Sequence, residues 1–248
     1  MQHTWKDGNP HYPLSTIYYL LSNNANAVSI DAVIFDMDGV LIDSENLWQQ
    51  AEKELLGQLG FDVTPDQLQE TRGLITREMV RHWCNRFRIT SVDPEELIRR
   101  YDSQMVEKMW TMVPLMEGAR EAIRFFRDKG LAVALASCST RELIDAVMER
   151  YGLAPGFDLV VSAADGMPGK PHPEVYLHTA RLLGRDPTRC LAIEDTFYGV
   201  ISALAARMKV IAIPDPREYD QPRFRAADRV ICSLGEINDE MFNQLQKI

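Results

Sequence analysis

Six short apolar runs punctuate the chain: 32–36 (AVIFD), 131–137 (LAVALAS), 159–163 (LVVSA), 190–194 (CLAIE), 209–213 (KVIAI) and 229–232 (RVIC). Most are continuous rather than alternating. A strand with one wet face alternates apolar and polar residues, so a continuous run indicates burial on both faces. Helical patterns separate the runs. In 117–130, Ala119, Ile123 and Phe126 recur at helical spacing, and Gly130 supplies a C-terminal cap; 141–152 closes the same way at Gly152. The segment 173–184 opens on Pro173, favoured at a first helical position, and closes on Gly184. Strand–helix alternation of this kind predicts an α/β chain: a Rossmann-like parallel sheet with helices on both faces.

The first connection breaks the rhythm. Residues 37–130 separate the first two strands, far more than one crossover helix needs. Within them 47–113 reads as helix, with Trp48, Ala51, Leu55 and Leu59 on one face and Leu97, Tyr101, Met105 and Met109 on another. The segment DPEE (93–96) is a helix start with Asp93 as N-cap and Glu96 three residues on. Turns fall at 58–66 and 89–92. The expected organisation is an all-helical cap, 47–113, inserted after strand one into a core of 31–46 and 114–248. Residues 1–30 read as a polar extension with one short helical piece.

The 248 residues, 46% hydrophobic and 25% charged, suffice for a sizeable core. A net charge of −9 disfavours a general nucleic-acid surface. An acidic chain handling an anion needs local positive charge, from basic side chains or a metal. Cys84, Cys138, Cys190 and Cys232 are far apart and form no CxxC pair, which fits reduced thiols in the cytoplasm. No apolar run reaches the roughly 18 residues of a membrane span. The stretch LSTIYYLLS (14–22) lacks the basic flank and cleavage site of a signal peptide.

Open parallel sheets bind ligands at the carboxyl ends of their strands. Strand one delivers Asp36 and Asp38 there, strand two Ser137, Cys138 and Ser139, strand three the loop bearing Lys170, and strand four Glu194 and Asp195. Each has a purely structural reading. An Asp after a strand forms turns, Ser139 with Glu142 fits a capping box, Lys170 suits a solvated loop, and Glu194–Asp195 could start the helix from Phe197. All four would have to coincide at one sheet edge. Crowded carboxylates raise one another's pKa unless a cation compensates, and such oxygens suit Mg2+. A carboxylate is also a competent nucleophile toward phosphorus, giving an aspartyl-phosphate. Lys170, the Ser137 hydroxyl and the helix starting near Arg141 would offset the negative charge of a phosphate. Gly39 lets the backbone turn sharply after Asp38.

These segments resemble the four motifs of the haloacid dehalogenase-like (HAD) phosphatases: FDMDGVLIDSE, LASCS, GKPHPEVY and AIEDT, in order, from about residue 31 to 215. The resemblance implies Asp36 as nucleophile and metal ligand. It implies Asp38 as general acid and base, ligating Mg2+ through its backbone carbonyl. Ser137 and Lys170 would bind the phosphoryl group, and Asp195 with Glu194 would complete the Mg2+ site. Substrate contacts would come from Cys138, Ser139 and the cap residues Arg72, Gly73 and Arg77. The DSExLW…AE pattern (Asp43, Ser44, Glu45, Leu47, Trp48, Ala51, Glu52) is most similar to bacterial phosphatases of 2-deoxyglucose 6-phosphate and hexitol phosphates. The alternative is a beta-phosphoglucomutase. Thr140 stands where mutases often carry Lys, which favours hydrolysis, and Asp38 argues against a dehalogenase or phosphonatase. Cys138 departs from the more usual Asn, Ala or Ser. His172, between two prolines, is expected to stabilise its loop. The expected partner is a small phosphorylated substrate, with no nucleic acid or membrane, and the chain is expected to be a monomer or weak dimer.

Overall fold

The computed structural model describes residues 29–247. The extension's short helical piece and the 14–22 stretch lie outside these residues. The six apolar runs form one sheet: β1 (Ala32–Phe35), β2 (Ala132–Ser137), β3 (Leu159–Ser162), β4 (Cys190–Glu194), β5 (Lys209–Ala212) and β6 (Arg229–Val230). Every pairing is parallel, in the order β3-β2-β1-β4-β5-β6. The register pairs Phe35 with Leu135 on one side and Ile193 on the other, so the C-terminal ends of β1, β2 and β4 fall at the same edge of the sheet.

The continuous apolar runs follow from this layering. Val33, Phe35, Val133, Leu135, Leu191 and Ile193 face one cluster, with Phe126 of α5 (Ala119–Asp128), Val147 of α6 (Arg141–Tyr151) and Phe242 of α9 (Asp239–Leu245). Ala32, Ile34, Ala134, Ala136 and Ala192 face the other, under α7 (Glu174–Leu182) and α8 (Phe197–Ala205). Large residues fill the first layer. Small ones let α7 and α8 approach the second.

Between β1 and α5 lie four helices: α1 (Glu45–Gln58), α2 (Pro65–Leu68), α3 (Thr76–Phe87) and α4 (Pro94–Thr111). Leu97, Tyr101, Met105 and Met109 are buried along α4 as the spacing predicts, and α4 packs on α1, α3 and α6. Asp93 caps α4 by accepting from the Glu95 N–H at 3.2 Å. Glu96 does not complete a capping box; Arg99 and Arg100 engage it instead. The helical reading of 47–113 needs one correction. Residues 69–75 form turns rather than helix, and they carry Arg72 and Gly73. Gly73 has φ +79°, a left-handed conformation that stops a helix there.

Candidate active site

The strand order reverses between β1 and β4, and this switch point opens the crevice where such sheets take ligands. Asp36 follows β1, and Glu194 and Asp195 end β4 and begin its loop. One carboxylate oxygen from each of the three lies within 4.8 Å of the others, and all three residues are buried. Gly39 (φ +73°) makes this approach feasible, because a Cβ there would sit 2.2 Å from Asp195 Oδ2. The helix after β4 does not use these acids. Its N-cap is Thr196, whose hydroxyl accepts from the Gly199 N–H at 3.1 Å.

Lys170 is the opposing charge. Its Nζ lies 2.9 Å from Asp36 Oδ1 and 2.6 Å from Glu194 Oε1, and it donates to the Ala136 carbonyl at 3.3 Å. It is buried, so the solvated-loop reading fails. Burial disfavours its charge, but Asp36 and Glu194 outweigh that and push its pKa well up. Burial lifts Asp36 to about 7, with Lys170 pulling down and Glu194 and Asp38 pushing up. Burial likewise raises Asp195, opposed by Arg72. Glu194 Oε2 and Asp195 Oδ1 are buried with no hydrogen-bond donor among the described residues. Burying such oxygens unpaired is costly. A three-carboxylate set with two open oxygens is a fit place for a hard divalent cation.

Asp38 stands apart from this cluster. Its Oδ1 accepts from Ser44 Oγ and Trp48 Nε1, both at 2.7 Å; its Oδ2 accepts from Ser139 Oγ at 2.7 Å and, at 3.5 Å, from Ser137 Oγ. Its side chain thus joins the β2 end to the first turn of α1, outside the metal-competent set. Two helix starts are diverted to achieve this. Ser44 is the N-cap of α1 but makes no side-chain cap bond, and Ser139 leaves α6 to begin on Thr140 without one. The capping box with Glu142 is therefore not formed, because the Ser139 hydroxyl faces Asp38. Ser137 is buried, and its Oγ also accepts the Ser139 N–H at 3.0 Å. Cys138 and Ser139 line the cleft.

The cleft spans about 790 Å³ including its mouth, and runs from Asp36, Asp38, Lys170 and Asp195 into the helical insert. Arg72 and Gly73 line it; Arg77 does not. On α3, Thr76 and Met79 lie three residues apart and face the cleft, which turns Arg77 aside. Arg72 is held among acids. Its guanidinium pairs with Glu45 at 3.1 Å, Asp195 at 3.3 Å and Glu218, beyond β5, at 2.8 Å. Sequence reasoning missed Tyr176, whose hydroxyl donates to Glu194 Oε1, and also Glu218, Ser44 and Trp48 as partners of the acids. Ser44 and Trp48 did stand in the quoted DSExLW pattern, but nothing there tied them to Asp38. His172 stabilises its loop as expected: Nδ1 accepts the Glu174 N–H at 3.2 Å, and its carbonyl accepts from Ser202 at 2.7 Å.

Comparison with known proteins shows the family and the fold. Residues 33–213 match the haloacid dehalogenase-like hydrolase family. Hexitol phosphatase B of Escherichia coli K12 is 39% identical over 207 residues, 83% of this chain and 93% of that protein. Many solved structures share the fold, two of them as follows. CbbY of Rhodobacter sphaeroides, in complex with phosphate, has TM-score 0.74 at 24% identity, over 84% of this chain and 96% of that one. A beta-phosphoglucomutase of Clostridium difficile has TM-score 0.74 at 21% identity, over 88% and 97%. No helix among the described residues is long and apolar enough to cross a membrane. The chain belongs to the haloacid dehalogenase-like hydrolase family and is an enzyme of its phosphatase type.

Proposed function

We propose that this enzyme is a Mg2+-dependent phosphatase of small phosphorylated sugars or sugar alcohols, working through an aspartyl-phosphate on Asp36. The observation that carries the reading is the buried triad Asp36, Glu194 and Asp195, with Lys170 against Asp36 and Asp38 held separately beside the same cleft. Residues 47–113 serve as a cap that closes over the substrate and excludes water. The naming of the Escherichia coli relative as a hexitol phosphatase supports the substrate class.

Asp36, Glu194 and Asp195, with the Asp38 backbone carbonyl, would hold the metal, and Mg2+ there would offset the repulsion between the Asp36 carboxylate and a phosphate dianion. Lys170 and the Ser137 hydroxyl bind the phosphoryl oxygens. Asp36 attacks phosphorus, and the bond from phosphorus to the ester oxygen breaks. Protonated Asp38 gives its proton to that leaving oxygen, then accepts one from the water that attacks the aspartyl-phosphate, releasing inorganic phosphate. Ser44, Trp48 and Ser139 keep the Asp38 carboxyl positioned between steps. Thr140 carries no charge and the charge of Arg72 is already matched by three carboxylates, which favours hydrolysis over mutase transfer. Phosphate release from a panel of sugar phosphates, with and without Mg2+, tests the reading. Conversion of β-glucose 1-phosphate to the 6-phosphate without free phosphate would replace it with the mutase.

A further inference from the structure

The cleft continues past the reacting groups to a wall made by one face of α1. Glu45, Trp48, Gln49 and Glu52 recur at helical spacing and all line it, with Thr71 and Tyr101 nearby. A helix usually turns apolar residues inward. Here two carboxylates and an amide face in. Glu52 is only 6% exposed. Its Oε1 accepts from the Thr71 hydroxyl at 2.6 Å and from the Trp83 indole N–H. Its Oε2 accepts no hydrogen bond among the described residues. Burial lifts its pKa to about 7, so this acid destabilises the fold near neutrality rather than supporting it. Two donors aim a buried carboxyl at the cleft and leave one acceptor unpaired there.

Resting on the phosphatase reading above, we propose that Glu52 is a specificity-determining residue whose Oε2 accepts a hydrogen bond from a hydroxyl on the substrate's leaving-group chain. With Glu45 and Gln49 it makes the insert side of the cleft a pocket for a neutral, hydroxyl-rich tail. The same wall rejects a second phosphate. Among the described residues, the cations lining the cleft are Lys170 and Arg72; Lys170 serves Asp36 and Glu194, and Arg72 serves three carboxylates. A dianion on the insert side would meet Glu52, and Glu45 already paired with Arg72, with no free cation. A hydroxyl meets a carboxyl oxygen with no other partner, and omitting it leaves that acceptor unpaired.

The test compares kcat/KM of the Mg2+-loaded enzyme on a hexitol monophosphate, n-hexyl phosphate and a hexitol bisphosphate. Turnover of p-nitrophenyl phosphate is measured first. Its absence removes the phosphatase reading itself, a failure distinct from that of the pocket. With turnover present, the hexitol monophosphate exceeds both comparators by about tenfold or more. Glu52→Gln lowers the hexitol-to-hexyl ratio by about tenfold, mainly through KM. Gln49→Leu, at a less buried place on the same wall, lowers it too and serves if Glu52→Gln does not fold. A wild-type ratio near one, an equally good bisphosphate, or folded variants that keep the wild-type ratio would overturn the proposal.

Discussion

Glu52 yields a prediction that needs no substrate. Its carboxyl is raised from 4.5 to about 7, chiefly by burial, against the hydrogen bonds from Thr71 and Trp83. A raised acid binds its proton more tightly folded than unfolded. Its stabilising contribution is therefore complete below 4.5 and is lost as pH climbs through about 7. At about 1.4 kcal/mol per pH unit, the interval amounts to about 3 kcal/mol lost by pH 8. Glu52→Gln mimics the protonated acid, because the amide oxygen still accepts from Thr71 and Trp83. The variant should gain about 3 kcal/mol over wild type at pH 8 and about 1 kcal/mol at pH 5. For a chain of this size, about 3 kcal/mol raises Tm by roughly 6–12 °C. Urea unfolding of both proteins across pH 5–8.5 measures it, with m-values compared to confirm a common unfolding transition. A gain that stays constant with pH would refute the burial argument, as would a loss that grows toward pH 8. Stability gained together with specificity lost would mark Glu52 as a residue retained for function.

Other perturbations follow from the same contacts. Asp36→Asn should lower kcat by about a thousandfold or more while the fold is kept, as steady-state assay and circular dichroism would show. Lys170→Met leaves Asp36 and Glu194 facing each other uncompensated; denaturant unfolding should show a loss of about 3–5 kcal/mol in the metal-free protein. Gly39→Ala puts a methyl 2.2 Å from Asp195 Oδ2 at a left-handed φ, so activity and Mg2+-induced thermal stabilisation should fall together.

The strands were legible because each is buried on both faces, which leaves a continuous apolar run that no exposed element imitates. β1 shows this in Ala32, Val33, Ile34 and Phe35, which alternate between two different packed layers. The acids were legible for a related reason: a carboxylate directly after such a run sits at a sheet edge whatever the rest of the chain does. Their partners were not. Ser44 looks like a helix cap and in fact serves Asp38, a choice made by a tertiary contact rather than by local pattern. Tyr176 reads as an apolar position of α7, and only the fold brings its hydroxyl to Glu194. Arg72 has the right chemistry for an anion, yet its charge is spent on Glu45, Asp195 and Glu218, the last of them 146 residues away in sequence. The 69–75 turns were not separable by pattern from the helices around them, because Leu68 and Leu74 pack against the same apolar cluster as the helical residues.

The most direct measurement is to trap the covalent enzyme. Wild-type protein mixed with Mg2+ and a turned-over sugar phosphate, quenched in acid within one turnover and digested, should carry a phosphoryl group on the peptide containing Asp36. Borohydride should convert that residue to homoserine. An unmodified Asp36 under conditions of burst release of the dephosphorylated sugar, or the phosphoryl group on another side chain, would contradict the account.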